Sequence, residues 1–110
     1  MMRLAMSPAA AALVRSLLRR AGVDRDRILL TEFRSTDWQS LNFTGEQHKI
    51  RLRIPAPEAS EIASRLVNGL AEADFSIPGH VVADIAICGE PERQKDGAIV
   101  LAIEALTVAE

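Results

Sequence analysis

The chain has no tyrosine, and only one tryptophan, three phenylalanines and one cysteine among 110 residues. The single cysteine, Cys88, excludes an internal disulfide and fits a reducing, cytoplasmic setting. No apolar run reaches the ~18–20 residues that a membrane span needs, so no membrane partner is expected. No Gly-rich phosphate loop, zinc-ligand spacing, serine-triad signature or dinucleotide fingerprint is present, so nothing calls for a cofactor or a metal. A strong excess of one charge is missing too. The net charge of −2 argues against a protein that coats nucleic acid.

What is present is a globular composition, 48% hydrophobic and 25% charged, in a length that makes one domain over residues 1–110. Ser7-Pro8 is a helix start, a serine cap followed by proline at the first helical position. Ala10, Leu13, Val14, Leu17, Leu18 and Ala21 then recur at helical spacing, and Gly22 closes the helix as a left-handed cap. Residues 1–23 carry Arg3, Arg15, Arg19 and Arg20 and no acidic residue, as transit peptides often do. The capping signals favour a first helix of the fold over a removable leader.

Residues 28–54 read as extended, with a bend near Ser35-Thr36 and a hairpin turn at Thr44-Gly45. The return strand alternates cleanly, with Ile50, Leu52 and Ile54 on one face and Lys49, Arg51 and Arg53 on the other. Pro57 opens a second helix whose buried stripe is Ile62, Leu66 and Leu70, with Gly69 as an interior glycine. Strands at 81–88 and 98–108 follow, joined by a polar, mobile loop at 89–97.

The order is α-β-β-α-β-β, in two similar halves at 7–55 and 56–108 that form a structural pseudo-repeat. Moving the last strand to the front gives β-α-β-β-α-β. The chain thus resembles, in element order, a circularly permuted ferredoxin-like fold. That resemblance implies an α+β two-layer sandwich with one four-stranded antiparallel sheet and both helices on one face. It carries no function.

Alternation divides the strands between a helix-facing set and an open face. The helix-facing set is Phe33, Leu41, Phe43, Ile50, Leu52, Ile54, Val81, Ile85, Ile87, Ile99, Leu101 and Ile103. On the open face, Val82, Ala86, Val100, Leu106 and Val108 are too apolar for water and define a candidate interface, most simply that of a homodimer, the alternative being that the terminal residues or the 89–97 loop fold back over the patch. Arg34, Trp38, Lys49, Arg51 and Arg53 define a basic surface with one aromatic, a candidate for single-stranded nucleic acid. Such surfaces normally carry two or three aromatics. Residues 1–55 hold 10 Lys/Arg against 5 Asp/Glu, a net of +5, and residues 56–110 hold 3 against 10, a net of −7. This asymmetry suits either attraction between halves of one chain or orientation of two copies.

His48 is in phase with the core residues Ile50 and Leu52. It is a structural histidine or, on the sharper reading, part of a small-molecule pocket with Trp38. His80, Asp84 and Cys88 share a strand face, but residues four apart on a strand are ~13 Å apart, too far for a nucleophile–base pair. Asp84 and Glu104 are near neighbours without further metal ligands. The expectation is therefore a small soluble domain, non-enzymatic, that binds or assembles through its open sheet face.

Overall fold

The computed structural model describes residues 6–110. Arg3, counted in the basic N-terminal stretch, lies outside them. Helix α1 (Pro8–Ala21) starts where Ser7 Oγ accepts the Ala10 amide at 3.1 Å and stops at Gly22, which adopts φ 70°. Strands β1 (Leu29–Gln39) and β2 (Thr44–Ile54) form a hairpin, followed by α2 (Ala59–Val67), β3 (His80–Ile87), the two-residue β4 (Glu92–Arg93) and β5 (Ile99–Ala109).

The sheet runs β1-β2-β5-β3, every neighbour antiparallel, with β4 continuing the β3 edge along β5. With β5 moved to the front, the first and third strands become central. This is the ferredoxin-like topology in permuted form. Both helices cover one face. Leu13 and Leu17 of α1 and Ile62 and Leu66 of α2 pack with Ile50, Leu52, Ile54, Ile85, Leu101 and Ile103 in one buried cluster. Burial of such side chains contributes roughly 1.5–3 kcal/mol each and drives the two layers together.

Several local expectations are corrected. The hairpin turn is Ser40 to Phe43, closed by the Ser40 amide on the Phe43 carbonyl at 2.9 Å, and Thr44-Gly45 already belongs to β2. A glycine is needed at 45 for another reason, since a Cβ there would meet the Thr107 carbonyl oxygen at 2.1 Å. Leu41 and Phe43, expected on the helix side, sit on the turn and are 98% and 57% exposed. The irregularity in β1 lies between Leu30 and Glu32 rather than near Ser35-Thr36.

Helix α2 begins at Ala59, after Glu58 in a left-handed conformation at φ 69°. Pro57 lies outside it. Gly69 is past the end of α2, where φ 71° favours glycine and leads into a short turn at Leu70–Glu72. The 89–97 loop is tied down. It contains β4, and the Gln94 amide donates to the Ala98 carbonyl at 2.8 Å.

Candidate functional site

The register of the strands places every open-face residue. β3 shifts register between Val82 and Asp84, so one extra residue, Ala83, intervenes. The shift exchanges two valines. Val82 pairs with Thr107 on the helix-facing side and packs against the core, whereas Val81 pairs with Val108 on the open face and is 50% exposed. Val82 therefore does not belong to the candidate interface, and Val81 takes its place. A single-residue bulge inverts sidedness for everything before it, and no residue type in Val81-Val82-Ala83-Asp84 announces it.

Val100 is on the open face but only 7% exposed. It pairs with Arg53 on β2 and Glu92 on β4. Across it run the Arg51–Glu92 pair at 3.5 Å, the Arg53–Asp96 pair and the bond from Arg53 Nε to Gln94 Oε1 at 3.2 Å. One end of the open face is thus roofed by the chain's own ion pairs. The basic half and the acidic half attract one another here within one molecule.

At the other end, which is apolar, no described element lies over the sheet. Trp38, Phe43, Val81, Ala83, Leu106 and Val108 line a wide-mouthed depression of about 570 Å³. Trp38 pairs with Gly45 and Gly45 with Val108, so the indole lies beside a position with no side chain. Of the candidate interface residues, Leu106 and Val108 lie in this depression, and Ala86 pairs with Glu104 one strand over.

The candidate nucleic-acid surface is spread out. Arg51 is six residues along β2 from Gly45, the partner of Trp38, which puts the indole and that arginine ~20 Å apart along the strand. Lys49, Arg51 and Arg53 each hold an acidic partner, Lys49 meeting Glu104 at 3.7 Å. Arg34 pairs in register with Lys49 and has no ion pair among the described residues. Glu104 is held by Lys49, and Asp84 pairs with Leu106, one row away. Among the described residues no cluster of His, Cys, Asp and Glu suits a metal ion. No described helix is long and apolar enough to cross a membrane.

His48 lies on the helix-facing side, wholly buried, on the opposite face of the sheet from Trp38. Its Nδ1 is 2.6 Å from Ser35 Oγ and its Nε2 is 2.8 Å from Thr107 Oγ1. Each hydroxyl both donates and accepts, so either neutral tautomer is satisfied in this three-strand bridge. Burial lowers its pKa below the ordinary imidazole value, opposed by Glu46 and reinforced by His80. Desolvation first, and then the Glu104 carboxylate, raise the Cys88 thiol above its ordinary value, which favours its protonated form.

The sequence matches no protein-family model, and no curated protein is significantly similar to it. The open sheet face is therefore the ground on which a functional reading stands.

Proposed function

We propose that this domain is a non-enzymatic assembly module that self-associates through the open face of its sheet. The observation that carries this reading is the apolar depression formed by Trp38, Phe43, Val81, Leu106 and Val108 on a face that no described helix covers. An uncovered apolar surface marks a contact site, and a second copy in two-fold symmetry is the commonest occupant. The hydroxyl–imidazole contacts of His48 with Ser35 and Thr107 lie on the opposite, helix-covered side of the sheet, where His48 is wholly buried. The nucleic-acid alternative through Trp38 and the arginines has less support, because indole and arginines are separated and three of the four neighbouring cations are already paired.

Light scattering after size exclusion tests the reading. A dimer is expected at micromolar concentration. Val81→Glu and Leu106→Asp, checked for folding by circular dichroism, should raise the dimer dissociation constant by about 100-fold or more, as loss of a central apolar contact does. A wild-type protein that stays monomeric at several hundred micromolar overturns it. Quenching of Trp38, the sole tryptophan, by an oligonucleotide at low salt would then favour the nucleic-acid reading. Quenching by an apolar small molecule would favour a ligand site.

A further inference from the structure

The open face can be written as a grid, because each strand pair has a known register. Across β1, β2, β5 and β3, the first row is Trp38, Gly45, Val108 and Val81. The second is Thr36, Gln47, Leu106 and Asp84, and the third is Arg34, Lys49, Glu104 and Ala86. Apolar groups occupy one end. In the second and third rows the cations, Arg34 and Lys49, lie on β1 and β2, and the acids, Asp84 and Glu104, on β3 and β5. Row one also has a hole at Gly45 next to a knob at Val108.

Two identical sheets stacked face to face keep their strands nearly aligned. Their two-fold axis then lies between the sheets, either across the strands or along them. An axis across the strands sets each strand over its own copy. If it is centred on the third row, Arg34 faces Arg34, Lys49 faces Lys49 and Glu104 faces Glu104, all repulsive. If it is centred on the apolar row instead, that row is the edge of the face, and the second and third rows of each copy find nothing opposite them.

An axis along the strands sets β1 over the partner's β3 and β2 over the partner's β5. Trp38 then meets the partner's Val81, and Val108 enters the gap at the partner's Gly45. Lys49 meets the partner's Glu104, and Arg34 reaches the partner's Asp84. Every charged position in these rows finds an opposite or a neutral one. The three rows that the clamp over Val100 leaves open are about 19 Å wide and 20 Å long, an area that belongs to the small, weak class of interfaces, so the match of charge and shape selects this axis.

We propose that two copies of this chain pair open face to open face about a two-fold axis parallel to the strands, between β2 and β5. The proposal rests on the self-association reading and specifies its geometry. Its test uses thiol cross-linking in a Cys88→Ser background with a short bis-maleimide. Thr36→Cys and Asp84→Cys proteins are prepared separately and then mixed. The mixture should give a covalent dimer on a denaturing gel, and neither protein alone should do so. Arg34→Cys alone should give none. A dimer by light scattering in which Arg34→Cys cross-links to itself overturns the axis and leaves self-association standing. A dimer that gives neither cross-link overturns face-to-face stacking. A strict monomer overturns both readings.

Discussion

His48 is the residue whose chemistry the fold alters most. Folding removes it from water entirely and gives both ring nitrogens a hydroxyl partner. Because its folded pKa is depressed, the unfolded chain binds a proton here more readily. The stabilisation is therefore fully present above the unfolded value of about 6.5 and is lost as pH falls through the lower folded value. Urea midpoints measured between pH 7.5 and 5 should fall for the wild type. For His48→Gln they should start lower and vary less across that window. Gly45 makes a different demand. The Thr107 carbonyl leaves no room for a Cβ, so Gly45→Ala must push β2 and β5 apart. We expect a loss of about 2–3 kcal/mol in urea unfolding, at the upper end for overpacking.

Between elements, the two helices cap each other. Arg20 of α1 donates to the carbonyls of Leu66 and Asn68 at the end of α2, and Arg65 of α2 donates to the Ala21 carbonyl at the end of α1, at 3.2 Å. Each guanidinium sits at the negative end of the other helix's dipole and satisfies carbonyls that lack an intrahelical partner. Arg20→Met and Arg65→Met should each cost about 1–2 kcal/mol, with a double variant less destabilised than the sum, as measured by chemical denaturation. The sequence showed late arginines in α1 that suit its own dipole, but the carbonyls that Arg20 meets are 46 and 48 residues away. The same limit explains the other differences. Ser7-Pro8, Gly22 and the alternation of 49–54 are local signals, and the elements they define are present. The shift between Val82 and Asp84 and the close approach at Gly45 are set by β5, a strand distant in sequence, so local pattern placed Val82 on the wrong face and the hairpin turn a few residues late.

At the scale of the whole molecule, element order was enough to anticipate the sandwich, because both helices carry one apolar stripe and the strands alternate. Charge asymmetry was legible as a sum but not as a location. The structure spends part of it on the Arg51–Glu92 and Arg53–Asp96 clamp that roofs Val100, which narrows the candidate site to the Trp38 end.

The permuted order also bears on how the domain is made. Both β2 and β3 lie against β5, and β5 follows every other strand in the chain. A ribosome therefore delivers one of the two central strands after both of its neighbours. Until it emerges, the sheet is limited to the β1–β2 hairpin, with α1 and α2 to cover it, and β3 has no strand to pair with. Assembly of the sheet is deferred to a single late step, during which the edges of β2 and β3 stand unpaired. In that interval those edges are open to pairing with another chain.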